Sequence, residues 1–252
     1  MQSGGLYISA FLMLCLCSCD RYYYQPNGVH APLLTNAKDA HLSANEDGSN
    51  ANIQAAYSPI NHLGIIAGYS RFSYKAPNVD ASAGNVDAHA HLAEAGAGYY
   101  YAMGKKVKVV CDIYGGAGGG ALKSDVNMHF FRPFIQPGAG LRTPYFDVAI
   151  NYRFSAIRYS QLDANGHDAG YLEQHNLVNG DRSITDKGYV FGEPSITVRG
   201  GYKFLKLQMQ LVTSHAISDV PWRYNNSQLT VGIHFALEDL LAIINPKTQA
   251  KN

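Results

Sequence analysis

The stretch FDVAINYRFSAIRY, Phe146–Tyr159, constrains the fold more than any other part of the chain. Phe146, Val148, Ile150, Tyr152, Phe154 and Ala156 fall on one parity, and Asp147, Asn151, Arg153 and Ser155 fall on the other. Strict alternation means a β-strand with one apolar and one polar face; a helix would put Asp147, Ile150, Asn151 and Phe154 on the same side. The run is fourteen residues long. An average soluble strand has roughly five or six residues, and a bilayer-spanning strand needs about nine to eleven. A strand this long and two-faced suggests a wall between lipid and a polar lumen.

Similar signals follow one another with no helix between them, near 40–47, 51–58, 64–74, 89–101, 107–121, 127–141, 146–159, 188–202, 205–215 and 227–236. In 89–101, Ala93, Ala95, Ala97 and Tyr99 oppose Glu94, Gly96 and Gly98; in 205–215, Leu207, Met209 and Leu211 oppose Gln208 and Gln210. The prediction is an all-β, closed, antiparallel up-and-down transmembrane barrel of about ten strands, with 8–12 possible. A soluble β-sandwich also alternates. Its water-facing residues, however, would be rich in Lys, Glu and Thr, whereas here the polar face is rich in Gly, Ser and Gln. Connections sort as well. Those after even-numbered strands are short, while 75–88 and 160–187 are long and fall on the other side, as in barrels with short periplasmic turns and longer outside loops. Two aromatic girdles are expected: Tyr57, Tyr99–Tyr101, Tyr145, Phe146, Tyr202, Phe204 and Phe235 at the short-turn ends, and Tyr74, Phe130, Tyr159, Tyr189 and Trp222 at the loop ends. Pro133, Pro137 and Pro194 predict bulges or ladder irregularities, because proline lacks a donor and a closed barrel has no edge. Gly115, Gly116 and Gly118–Gly120 predict curvature or close packing of lumen side chains.

The N-terminus reads as a lipoprotein signal over 1–18. Leu6–Leu16 has the length of a signal h-region and is too short to span a bilayer as a helix. Leu16-Cys17-Ser18-Cys19 resembles a bacterial lipobox, which implies lipid attachment at Cys19, although the n-region has no Lys or Arg. After processing only Cys111 would remain, so no intramolecular disulfide is expected. Residues 19–38 show no period and carry Pro26 and Pro32, and are expected to be an extended periplasmic lead-in. The barrel domain is predicted over 39–236. A short helix and tail should occupy 237–252, since Leu237, Leu240, Leu241 and Ile244 have helical spacing and Pro246 ends it. Charged residues are 15% of the chain, below the roughly 25% of soluble domains. A net charge of +1 without a basic block gives no reason to expect nucleic acid as a partner.

Cys19, Tyr24-Gln25-Pro26-Asn27-Gly28-Val29-His30-Ala31-Pro32-Leu33, Gln54-Ala55-Ala56-Tyr57, Phe134-Ile135-Gln136-Pro137 and Glu193-Pro194 together resemble small outer-membrane β-barrel lipoproteins of Bacteroidota, a largely uncharacterised family. The resemblance implies location and architecture, namely the outer membrane of a Gram-negative bacterium with both termini periplasmic. It supplies no catalytic residue.

Parity turns Glu94, Asp112, Arg132, Asp147, Arg153, Glu193 and Arg199 inward. Buried charges need partners, so these residues are expected to pair across a narrow lumen and plug it. A small pore and an outer-membrane lipid-modifying enzyme are the alternatives. His89 and His91 share a strand face but lack a third ligand, and Asp80 and Asp87 in 75–88 do not follow a Ca²⁺-loop pattern, so no metal or other cofactor is expected. Ser155, His129, His215 and His234 have no spacing that singles out a triad, and no enzyme is expected. Outer-membrane lipid is the expected partner, with a surface ligand conceivable through 75–88 and 160–187. The expected function is structural or surface interaction.

Overall fold

A computed structural model describes residues 22–76 and 86–244. Ten long strands form one closed antiparallel barrel: β1 (Ala40–Glu46), β2 (Asn50–Ile60), β3 (Leu63–Ala76), β4 (Val86–Met103), β5 (Lys108–Lys123), β6 (Asn127–Arg142), β7 (Phe146–Asp163), β10 (Gly188–Tyr202), β11 (Leu205–Thr213) and β13 (Ser227–Ala236). Each pairs with its chain neighbour. The ring closes through β13, which pairs with both β11 and β1. Two minor pieces accompany it: a hairpin of β8 (Val178–Asn179) and β9 (Arg182–Ser183), and β12 (His215–Ala216), which pairs with β10 just beyond β11. Helix α1 (Ala169–Gln174) lies in the longest loop, and α2 (Leu237–Ile244) follows the last strand.

The period-two pattern becomes the two faces of the wall. In β11, Lys206, Gln208, Gln210 and Val212 are buried, and Leu205, Leu207, Met209 and Leu211 are exposed. Around the outside, Ile53, Ile65, Ile113, Ile135, Ile150, Ile196 and Val231 are likewise exposed. Arg, Glu, Gln and Asn side chains are buried inside while a belt of large apolar ones is exposed outside, the reverse of an ordinary soluble domain.

The turns at 61–62, 104–107, 143–145 and 203–204 are at one end, together with α2; the connections 164–187 and 214–226 are at the other. Both barrel termini, Ala40 and Ala236, meet at the short-turn end, where His41 pairs with Ala236. Residues 22–39 run differently from expectation. They are not a lead-in outside the barrel but a buried segment inside it. Tyr24 bridges Tyr224 at the long-loop end, and Leu33 and Leu34 pack with Ile66, Val110, Tyr114 and Ala149 toward the short-turn end. The described chain therefore starts at one end of the barrel, at Tyr22, and finishes at the other, at Ile244.

Among the described residues, the expected outward girdle is found at the short-turn end, where Tyr57, Tyr99, Tyr101, Tyr145, Phe146 and Tyr202 are exposed and Tyr100 is buried. At the long-loop end, Tyr159, Tyr189 and Trp222 turn inward and pack with Tyr23, Tyr24 and Phe191, with Phe130 against them; the side chain of Tyr74 is outside the described residues. Parity explains the correction: along β7 Tyr159 shares the parity of Arg153, and along β10 Tyr189 shares that of Glu193. The longest loop also joins this cap. Leu177 and Ile184 are buried in the same cluster; β7 runs on to Asp163, and the remaining 164–187 is a folded loop with its own helix and hairpin.

Proline acts as its chemistry requires. Pro133 and Pro137 keep their register with β5, while the β6–β7 ladder skips both positions without slipping. Pro194 pairs with β7, and pairing with β11 begins only at Ser195. The missing donors thus fall at ladder gaps rather than at bulges.

Candidate functional site

The centre of the lumen is built on one register row. Glu94 on β4 lies between Gly68 on β3 and Gly118 on β5, and Gly118 pairs in turn with Arg132 on β6. A Cβ on Gly118 would be 2.8 Å from Glu94 Cβ, and one on Gly68 would be 2.9 Å from His30 Nε2. The two glycines leave the room that Glu94, Arg132 and the threaded segment occupy. On the next strands round the ring, Arg153 on β7 faces its register partner Glu193 on β10.

Asn27 joins these pairs. Arg132 Nη2 donates to Glu94 Oε2 at 2.9 Å and to the Asn27 side-chain oxygen. Arg153 Nε donates to Glu193 Oε2 at 2.6 Å, and its Nη2 reaches Asn27 Oδ1 at 2.6 Å and Asn27 O at 3.1 Å. Asn27 Nδ2 returns a bond to Glu94 Oε1 at 3.1 Å, and Tyr24 Oη donates to Glu193. His30 Nε2 is 3.5 Å from Glu94 Oε1. Arg153 and Glu193 have no exposed surface. Two arginines and two glutamates balance in charge, and the amide of Asn27 serves as the shared connector.

Below this cluster, wall side chains satisfy the backbone of the threaded segment. Gln210 accepts from Val29 N at 3.0 Å and donates to Val29 O at 2.7 Å. Gln136 Nε2 donates to His30 O at 2.6 Å, and Arg199 Nη2 to Ala31 O at 2.7 Å. A closed barrel offers no free strand edge inside, so a buried extended segment must find side-chain partners.

All seven charges expected inside are buried, but they do not form one network. Glu94, Arg132, Arg153 and Glu193 converge. Asp147 pairs with Lys206 at 2.7 Å, a residue whose parity with Gln208 and Gln210 marks it as inward. Arg199 bonds Gln208 and the threaded backbone rather than a carboxylate. Asp112 Oδ1 has no hydrogen-bond partner among the described residues. Asn27, Tyr24 and His30 had no signal in periodicity, because their segment has none. Cys19, the signal 1–18, the loop residues 77–85 and the tail 245–252 lie outside the described residues.

A second cluster closes the short-turn rim. Arg142 bonds Asp39 at 3.3 Å, Glu238 at 2.6 Å and Asp239 at 3.0 Å, tying the threaded segment, β6 and α2 together. His41 Nε2 is 2.8 Å from Glu238 Oε1. Asp39, His41 and Glu238 group as metal ligands would, with donor atoms within 4.8 Å of one another. Arg142 already supplies the positive charge there, and Asp39 Oδ2 also accepts from Thr35 N at 2.8 Å and Asn36 N at 3.0 Å. The geometry is that of an ion-pair clamp. Burial alone would raise the Glu238 carboxyl; the hydrogen bond with His41 and the charges of His41 and Arg142 outweigh it and hold the group at about 2. His89, His91 and His129 are all exposed on the outer wall, His91 and His129 both in register with Ala121 of β5, which separates them.

The sequence matches no known family and no curated protein.

Proposed function

We propose that this chain is an integral outer-membrane barrel of a Gram-negative bacterium, closed by its own N-terminal segment and working through its long-loop end in a structural or surface-interaction role. The inside-out distribution carries the reading. Isoleucines, leucines and tyrosines cover the outer wall, while Arg153, Glu193 and Gln210 are sealed within. Water would leave that outer surface unstable, and lipid solvates it. The filled bore argues against a pore, since residues 22–35 occupy its length with their polar groups bonded to the wall.

With the long loops outside, Tyr22 is at the outer end and α2 at the periplasmic end. A lipid attached at Cys19, three positions before Tyr22 in the sequence, belongs to the same reading. Cys19→Ser is expected to abolish acyl labelling and leave the barrel able to insert; labelling that persists would remove the lipid from the proposal.

The central test combines partitioning and conductance. The full chain should require detergent for extraction, migrate differently on gels before and after heating, and give no steady current in a planar bilayer. Release by carbonate as a soluble protein would overturn the membrane reading. Steady current from the intact chain would overturn the plugged reading.

A further inference from the structure

The short-turn end carries a concentration of lysines, of which Lys203 lies over the Tyr202 ring at 5.5 Å. Lys105 and Lys106 lie in the β4–β5 turn, Lys108 opens β5 and Lys203 lies in the β10–β11 turn. These four line one cleft of about 400 Å³, walled on its other sides by residues 35–39, the 143–144 turn and α2. Among the described residues none of the four pairs with a carboxylate. The acids of the cleft, Asp39, Glu238 and Asp239, all bond Arg142 rather than a lysine, and five cations facing three carboxylates leave the cleft with a net positive charge. Like charges held together in a concave site cost energy unless an anion joins them.

The surroundings indicate what kind of anion. Directly beside the cleft the outer wall exposes Val107, Val109 and Leu141, flanked by Tyr145 and Tyr202. Ile243 of α2 lines the cleft itself, and Leu241 and Ile244 of the same helix are exposed. A free phosphate would engage only the lysines. A phospholipid engages the lysines with its phosphate and the adjoining apolar wall with its chains, which accounts for both surfaces.

Building on the membrane reading above, we propose that this cleft binds the headgroup of an anionic phospholipid in the leaflet at the short-turn end, with Lys105, Lys106, Lys108 and Lys203 on the phosphate.

The test is native mass spectrometry of the full chain in detergent, loaded with phosphatidylglycerol or with zwitterionic phosphatidylcholine. The wild type should retain the anionic lipid preferentially. Each lysine removed should cost roughly fivefold in retention, and the Lys105→Ala, Lys106→Ala, Lys108→Ala, Lys203→Ala variant should lose the preference. Heat-modifiable migration of that variant shows that it has folded, and the four Lys→Gln changes give a second version should the first not fold. Arg71→Ala and Lys123→Ala, cations of the outer wall toward the other end, should leave the preference intact. A preference that survives loss of all four lysines, or falls equally in Arg71→Ala, overturns the proposal. Displacement of the lipid by millimolar inorganic phosphate reduces the cleft to a simple anion site and overturns the lipid assignment. A chain that stays in solution without detergent fails the membrane reading; a chain that floats with vesicles but shows no lipid preference fails only this inference.

Discussion

Two arginine–carboxylate clusters hold residues 22–39 to the barrel, and they differ in exposure. At mid-lumen Arg153 and Glu193 are completely buried, whereas at the rim Glu238 is 20% and Asp239 39% exposed at the side chain. The chemistry is the same and the solvent is not. In the lumen a charge that loses its partner has no water to turn to, while at the rim water replaces it. Mid-lumen pairs therefore determine whether the barrel can close around the segment, and the rim pairs adjust how firmly its lower end is held.

The largest effect is expected from Arg153→Ala, which strands Glu193 and removes two bonds to Asn27. Unfolding in lipid should cost about 3–5 kcal/mol less than for the wild type. An equal loss from Arg142→Ala would erase the distinction between the two clusters. Next in size is Gly118→Ala, whose Cβ would be 2.8 Å from Glu94 Cβ and 2.8 Å from Ala93 O. It should destabilise by about 1–3 kcal/mol, whereas Gly200→Ala, where a Cβ meets nothing within 4 Å, should stay within about 0.5 kcal/mol.

The smallest effect separates the clusters by pH. Glu238 has its carboxyl held down to about 2 in the folded protein, against 4.5 ordinarily. A depressed folded value contributes stability that is complete above about pH 4.5 and lost as the pH falls toward about 2. Glu238→Gln should thus be weaker than the wild type by on the order of 1–2 kcal/mol at neutral pH, and the gap should close between those two values. Parallel stability curves for the two proteins down to pH 2 would show that the clamp is not ionic.

The ten strands were legible because a two-faced wall imposes period two on every strand, and the structure places each within a few residues of its expected span. Gln210 and Arg199 could be assigned to the interior by parity alone. What they hold could not, since Asn27 and His30 belong to a segment matched to its wall side chain by side chain, and such matching leaves no repeat. The loop-end aromatics were misread for a different reason. Their position along the strand suggested a girdle, yet Tyr159 and Tyr189 have inward parity, and parity determines direction. Leu177 and Ile184 are isolated apolar residues in a polar stretch, with no signal until the cap beneath them is known.

A ring of strands with its own chain through the bore imposes an order on biogenesis. Folded proteins almost never pass a segment through a closed loop. Here residues 22–35 cannot be added late without drawing everything upstream of them through a filled bore. The simplest route leaves one seam open, β1 against β13, until the N-terminal segment has settled on Gln210, Gln136 and Arg199. That seam is also the junction of the first and last strands to be synthesised, so the two ends of the barrel sequence meet last. The segment would then act as an internal template: a nascent barrel that closed without it would keep Arg132 and Arg153 on their wall carboxylates but leave their bonds to Asn27 unmade, and would be the less stable product.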